Sequence, residues 1–187
     1  VSINTKPGKV EALKQTKASV DTATISWSKV SGAKGYGVYL YNEAKGKYEK
    51  AATTSSTTYK LKKLTTGTTY KARVRAYLKN GKTTVWGSYT TLKVVTKPGM
   101  VKKLKQSAVT EDSITVSWKK VNNVDGYKIY CYDADGTLVK SKKTTDTEET
   151  FEKLSAGTYT FKVRAYKKAG SYTAYGAMSE VIESSIE

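Results

Sequence analysis

The segment that begins at Ala76 has the spacing of a relaxed phosphate-binding loop, Ala76-x4-Gly81-Lys82-Thr83. Such a loop binds phosphate only where a glycine-rich turn leads from a strand into the N-terminus of a helix. Here Asn80-Gly81 is a hairpin-turn dipeptide, because both residues tolerate positive φ, and strand-forming residues follow it. We therefore predict a hairpin turn at this position and no nucleotide site.

A second short segment, Asp133-Ala134-Asp135-Gly136, resembles the opening of a calcium-binding loop. An EF-hand loop needs glycine at its sixth position and a bidentate glutamate at its twelfth. In this chain Gly136 is fourth and Thr144 is twelfth. We therefore predict an ordinary turn between two strands and no metal ligands.

Residue types that commonly carry catalysis are scarce. The chain has no histidine and a single cysteine, Cys131, so Ser-His and Cys-His nucleophile pairs are excluded. The acids of the first half are only Glu11, Asp21, Glu43 and Glu49, and they form no pattern typical of a carboxylate pair for glycoside hydrolysis. We therefore predict no catalytic residue and no cofactor, and we expect that the chain is not an enzyme.

Tyrosines and cations alternate with apolar residues in several segments, and this alternation is typical of strands with one buried face. It predicts that these tyrosines and cations point outward from the buried face. Such a set can stack on sugars or bind acidic groups. The same side chains are also good strand formers that cover backbone without any ligand. The candidate ligand-binding residues are Tyr39, Tyr41, Lys71, Arg73 and Arg75 in the first half, with Tyr130, Tyr132, Lys162 and Arg164 in the second.

The chain contains an internal repeat. Thr5-Lys6-Pro7-Gly8 recurs 91 residues later, and Trp27 matches Trp118 at the same offset. Cys131 matches Leu40, which predicts that the thiol points inward. Strand formers such as Thr, Val and Tyr are frequent, and no helical apolar stripe of useful length occurs. We predict two all-β modules, residues 1–95 and residues 96–187.

The recurring residues resemble fibronectin type III modules. The pattern in the first copy is Pro7-x2-Val10-x2-Leu13, Ile25-x-Trp27, Gly35-Tyr36-x-Val38 and Leu64-x2-Gly67-Thr68-x-Tyr70-x3-Val74-x-Ala76. The resemblance implies two tandem seven-stranded immunoglobulin-like β-sandwiches in which the third and sixth strands are neighbours. It also implies that Tyr70 and Tyr159 are tyrosine corners, whose hydroxyls bond backbone before the sixth strand. The second corner is the less regular, since Leu154 to Tyr159 is one residue shorter than Leu64 to Tyr70.

Charge is divided unevenly between the two copies. Residues 1–95 hold 18 basic and 4 acidic side chains, whereas residues 96–187 hold 15 and 12, so the formal charges are +14 and +3. A field of this asymmetry attracts polyanions to the first module. The partners that we expect are neighbouring domains of a larger chain and an anionic cell-wall polymer or glycan. No motif indicates nucleic-acid binding.

These observations favour a non-catalytic spacer or presentation module pair from a larger secreted or cell-surface protein. The alternative is an adhesive or carbohydrate- or polyanion-binding module that uses the basic, tyrosine-rich outer face. The repeats are similar to modules in surface and secreted proteins of Gram-positive bacteria, so we expect a secreted or cell-wall-associated monomer. The sequence has no run of about 18 apolar residues, so we expect no membrane insertion. The sequence begins with Val1 and not Met, so we expect a fragment whose export signal lies elsewhere.

Overall fold

The computed structural model describes residues 5–187, and these residues divide into two compact units. The first unit runs to Thr96 and takes in Ala169–Tyr172, and the second contains Lys97–Lys168 and Thr173–Glu187. Each unit consists of a three-stranded and a five-stranded antiparallel sheet. No helix among the described residues is long and apolar enough to cross a membrane.

The first domain has eight strand segments. Its small sheet has the order β1-β2-β5, and its large sheet has the order β4-β3-β6-β7, with β8 also paired to β6. Segments β7 and β8 are the two halves of a seventh strand interrupted at Gly87, so the predicted seven-stranded sandwich is confirmed. The segments are β1 Lys14–Ala18, β2 Ala23–Ser26, β3 Gly35–Asn42, β4 Lys47–Thr54, β5 Thr58–Leu61, β6 Thr69–Asn80, β7 Thr83–Trp86 and β8 Thr90–Val95.

The second domain repeats this topology. Its small sheet has the order β13-β10-β9, and its large sheet has the order β12-β11-β14-β15, with β16 also paired to β14. The segments are β9 Lys102–Val109, β10 Ile114–Lys119, β11 Gly126–Tyr132, β12 Leu138–Thr144, β13 Glu148–Phe151, β14 Gly157–Ala169, β15 Tyr172–Tyr175 and β16 Ile182–Ile186.

The core of each domain lies between its two sheets and depends on a tryptophan–tyrosine pair. Trp27, directly after β2, meets Tyr36 of β3 edge-on, with ring centroids 5.3 Å apart. Trp118 and Tyr127 repeat this contact at 5.3 Å in the second domain. Each tyrosine hydroxyl also accepts a backbone N–H six residues upstream, at 2.9 Å in both domains. The prediction that both tryptophans are core residues is confirmed.

Both predicted tyrosine corners are present. The backbone N–H of Thr65 donates to the Tyr70 hydroxyl at 2.6 Å. In the second domain the Tyr159 hydroxyl donates to the carbonyl oxygen of Ser155 at 3.0 Å. The second copy is one residue shorter here, and its tyrosine hydroxyl therefore bonds a different backbone atom. The role of the corner is unchanged, because the hydroxyl still ties the turn before β14 to that strand.

The two core tryptophans generate the first prediction. Trp27→Ala and Trp118→Ala should each lower the free energy of unfolding of their own domain by about 3–5 kcal/mol, because each removes a large buried ring and leaves a cavity. Lys60→Ala, at an exposed position of β5, is the control and should change it by less than about 0.5 kcal/mol. Urea unfolding followed by far-ultraviolet circular dichroism measures both, because the second domain has no other tryptophan once Trp118 is replaced. A Trp27→Ala protein that unfolds with the parent would show that β2 does not cover the core.

Candidate functional site

The two segments with the spacing of ligand-binding loops are turns, as predicted. Gly81 has a φ of +57° and lies between Asn80 and Thr83, which pair across the β6–β7 hairpin. The Asp133 carboxylate accepts the backbone N–H of Asp135 at 3.1 Å and of Thr137 at 2.8 Å. That carboxylate is engaged in its own turn, and neither segment has the geometry of a phosphate or calcium site.

Cys131 lies in the core of the second domain, with no exposed surface, as its alignment with Leu40 predicts. Burial raises the pKa of its thiol to about 11. The thiol is therefore protonated at neutral pH, and a buried, protonated thiol is a poor nucleophile. Among residues 5–187, no three Cys, Asp or Glu side chains lie close enough together to hold a metal ion.

The outer face of the first domain's large sheet carries a continuous stack of aromatic rings and guanidinium groups. Strand alternation turns Ala72, Val74 and Ala76 of β6 into the core, and it turns the basic residues between them outward. The guanidinium of Arg75 lies 4.4 Å from the ring centres of both Trp86 and Tyr89. We call the complete series the aromatic–cation stack, and its order is Trp86, Arg75, Tyr89, Arg73, Tyr48.

Arg73 continues the stack toward the sheet edge. Its guanidinium lies 3.7 Å from the ring centre of Tyr89 and 4.0 Å from that of Tyr48. Each of the two arginines therefore lies close to at least two aromatic rings. Guanidinium groups are more weakly hydrated than ammonium groups and pack well against aromatic faces, so the stack covers this surface at a small desolvation cost.

Tyr39 lies beneath the stack and not on its surface. Its side chain is only 7% exposed. The Tyr89 ring meets it edge-on at 5.3 Å, and Nη2 of Arg75 donates to its hydroxyl at 2.9 Å. The sequence correctly predicts that Tyr39 points away from the core, but the open face expected at this position is closed by neighbouring side chains.

The stack depends on a glycine beneath it. A Cβ at Gly37 would lie 2.8 Å from the Trp86 ring, so any other residue would displace the indole. The amine of Lys50 completes this end of the stack at 5.4 Å from the Trp86 ring centre. Sequence reasoning missed Trp86, Tyr89 and Tyr48 as members of this face. The signal for Tyr48 and Lys50 is their alternation on β4, whereas Tyr89 lies in the break between β7 and β8.

Tyr41 and Lys71 lie at the far end of the same face and are less covered. The Lys71 amine is 4.9 Å from the Tyr41 ring centre, and Tyr41 meets Tyr48 edge-on at 5.0 Å. All five candidate residues of the first domain therefore share one face, as predicted from the alternation and the strand order that the resemblance implies. Their ligand-binding role remains a prediction.

The second domain carries a shorter version of the stack. Arg164 lies 4.1 Å from the ring centre of Tyr175 and 5.3 Å from that of Tyr130, and Tyr130 is also only 7% exposed. The Lys162 amine is 5.5 Å from the Tyr132 ring centre. The four candidates of this domain are thus also on one face. Lysine at position 162 replaces the second arginine, and methionine at position 178 replaces the ring of Tyr89.

Both outer faces include cross-strand neighbours of like charge. Lys71 is directly opposite Lys93 on β8, and Lys128 is directly opposite Lys143 on β12. Like charges at such positions repel each other. The acids differ, because the second domain has the ion pairs Lys142–Glu149 and Lys167–Asp125 whereas the described part of the first has Lys45–Glu49. The first domain as a whole therefore has the stronger positive field, since residues 1–95 hold 4 acids and residues 96–187 hold 12.

Comparison with known proteins gives relatives of both domains. Residues 7–92 and residues 98–182 each match the family model of the fibronectin type III domain. The chain is 30% identical over 175 residues to chitinase A1 of Niallia circulans, a match that covers 86% of this chain and 24% of that protein. It is 28% identical over 183 residues to exoglucanase B of Cellulomonas fimi, covering 92% of this chain and 16% of that protein. The chain thus spans about a quarter or less of the length of these relatives.

A solved structure shares the fold. The crystal structure of the chicken CNTN1 FN1–FN3 domains matches with a TM-score of 0.57 and 18% identity, covering 97% of this chain and 68% of that one. The two family matches cover most of the chain, and they coincide with the two sandwiches described above. The protein therefore belongs to the fibronectin type III family and carries two of its domains in tandem.

Proposed function

We propose that the two domains form a non-catalytic spacer or presentation unit within a larger secreted or cell-surface protein. The observation that carries the proposal is the closure of the first outer face by its own side chains. A sugar-stacking or adhesive surface offers exposed rings and free donors. Here Tyr39 is covered, and the guanidinium of Arg73 is packed between the rings of Tyr89 and Tyr48.

The relatives support the same proposal from another direction. Chitinase A1 and exoglucanase B are each much longer than the segment that this chain matches. A pair of small sandwiches that accompanies other domains in a longer chain suits the separation or presentation of those neighbours. The buried thiol of Cys131 and the closed turns at Gly81 and Asp133 provide no competing catalytic arrangement.

An assay of retention on insoluble polysaccharide distinguishes the spacer role from an adhesive role. The purified chain should stay in the supernatant after washing with chitin, with cellulose and with isolated Gram-positive cell wall at physiological ionic strength. Sedimentation that Tyr41→Ala or Lys71→Ala abolishes would contradict the spacer proposal, because these are the least covered candidates on the outer face. Bovine serum albumin provides the baseline for nonspecific retention.

The stack itself should act as a structural element. Arg75→Ala should lower the free energy of unfolding of the first domain by about 2 kcal/mol, through loss of three cation–π contacts and the hydrogen bond to Tyr39. The equivalent change Arg164→Ala should cost the second domain less, about 1 kcal/mol. Urea unfolding of both variants measures the difference. If Arg75→Ala unfolds with the parent, the stack does not stabilise the sandwich and the face is free to serve a ligand.

A second candidate function is weak binding of an anionic wall polymer or glycan by the first domain. The observations that favour it are the 18 basic against 4 acidic side chains in residues 1–95 and the like-charged cross-strand neighbours Lys71 and Lys93. Binding of this kind depends on exposed charges, so it is strongly screened beyond about 10 Å at 0.1 M salt. It is compatible with a spacer whose first domain rests against a charged surface.

Two matched lysine pairs test the polyanion candidate. Lys71→Gln with Lys93→Gln should weaken binding to dextran sulfate severalfold at low ionic strength. Lys128→Gln with Lys143→Gln removes the same charge from the second domain and should have little effect. Binding of the parent should disappear as salt rises to the physiological range, as followed by fluorescence anisotropy. Equal effects of the two pairs would show that net charge, and not the first domain, is responsible.

A further inference from the structure

A cleft of about 460 Å³ opens at one end of the first domain's large sheet, beside the aromatic–cation stack. It is formed by the end of β3, the start of β4 and the turn that leads into β6. Leu40 and Tyr70 lie in it and also pack against the edge of the core. Their half-buried side chains give the cleft an apolar floor, and the Tyr70 hydroxyl is already bonded to the backbone of Thr65.

The rim of the cleft is polar, and its side chains are hydrogen-bonded to one another. Asn42 Nδ2 donates to Oε2 of Glu49 at 2.8 Å, and the amine of Lys45 donates to Oε1 at 2.8 Å. These hydrogen bonds lower the pKa of Glu49, so its carboxylate is ionised at neutral pH. A carboxylate has about four acceptor sites. The two protein donors therefore leave acceptor capacity for hydroxyl groups of a ligand.

The charge of the cleft differs from that of the rest of the domain. Glu43 and Glu49 line it, and these are two of the four acids in residues 1–95. The basic residues that line it are also two, Lys50 and Lys71. The amine of Lys45 on the rim adds a third basic group, so the cleft has a formal charge of only +1 within a domain of charge +14. This composition disfavours a polyanion and suits a neutral ligand rich in hydroxyl groups.

The second domain supplies an internal comparison. Leu40 is paired with Glu49 across β3 and β4, and the equivalent pair across β11 and β12 is Cys131 with Lys140. The amine of Lys140 reaches the carbonyl oxygens of Glu152 and Lys153. At the position where the first domain has a carboxylate facing open space, the second domain therefore has a lysine bonded to its own backbone.

We propose that the cleft of the first domain binds one neutral sugar ring, as the end or a side residue of a polysaccharide. The C–H face of the ring packs on the floor formed by Leu40 and Tyr70, and Glu49 and Asn42 accept hydrogen bonds from its hydroxyl groups. One ring with so few contacts binds weakly, with a dissociation constant on the order of 1 mM. Binding of this strength does not retain the chain through a washed sedimentation assay, so the site is additional to the spacer role and independent of it.

Titration of the isotopically labelled full chain, followed by amide chemical shifts, tests the proposal. The probes are methyl β-glucoside and N-acetylglucosamine as neutral rings, with glucuronate as the charged ring of the same size. A neutral probe should produce saturable shifts confined to amides around Leu40, Asn42, Ala51 and Thr69. Glucuronate should bind at least threefold more weakly, because its carboxylate approaches that of Glu49.

Three variants determine whether the cleft is responsible. Glu49→Lys places in the cleft the residue type found in the second domain and should weaken binding at least tenfold, and Glu49→Gln should weaken it severalfold. Glu11→Lys makes the same charge change at an exposed position outside the cleft and should leave the affinity unchanged. Thermal melting verifies that each variant is folded. The proposal is overturned by the absence of saturable shifts for both neutral probes, by shifts spread over the whole surface, or by unchanged affinity in Glu49→Gln.

Discussion

The period-two alternation of strand β6 is the constraint on which the rest of the first domain depends. A strand directs successive side chains to opposite faces, so one register decides both surfaces at once. With Ala72, Val74 and Ala76 in the core, Arg73 and Arg75 must lie on the other face, beside the residues that β3 turns outward. A slip of one residue would bury two guanidinium groups without partners, which is far too costly to occur. The core and the aromatic–cation stack therefore specify the same register from opposite sides.

The fold was predictable from the sequence because its determinants are local and occur twice. Alternating segments, the turn at Asn80-Gly81 and the repeated tryptophans at positions 27 and 118 follow from short spacings, and the resemblance to the fibronectin type III family implied the tyrosine corners. The placement of Tyr39 and Lys71 on one outer face also followed, once the resemblance supplied the order of the strands. The alternation itself depends on backbone periodicity, which a single sequence carries directly.

The exposure of that face and the cleft could not be predicted in the same way. Tyr39 is covered by Tyr89, which approaches from a break in the seventh strand that has no periodic signal. The cleft depends on the side chain at position 49 being held aside by Asn42, whereas the equivalent Lys140 reaches across to backbone. Both outcomes depend on the conformations of side chains that meet only in the folded domain, and these are determined by packing and not by periodicity.

The two domains have the same core packing but compensate their surface cations in different ways. Their tryptophan–tyrosine pairs have the same centroid separation, 5.3 Å, although the outer faces have diverged. The second domain neutralises cations with acids, as in the pairs of Lys142 with Glu149 and of Lys167 with Asp125. The first domain has few acids, and it places its arginines between rings instead. The quadrupole of an aromatic ring attracts a cation without adding negative charge. The longer stack and the higher positive charge of the first domain are therefore linked, because the rings reduce the repulsion between neighbouring cations and leave the net charge of the surface unchanged.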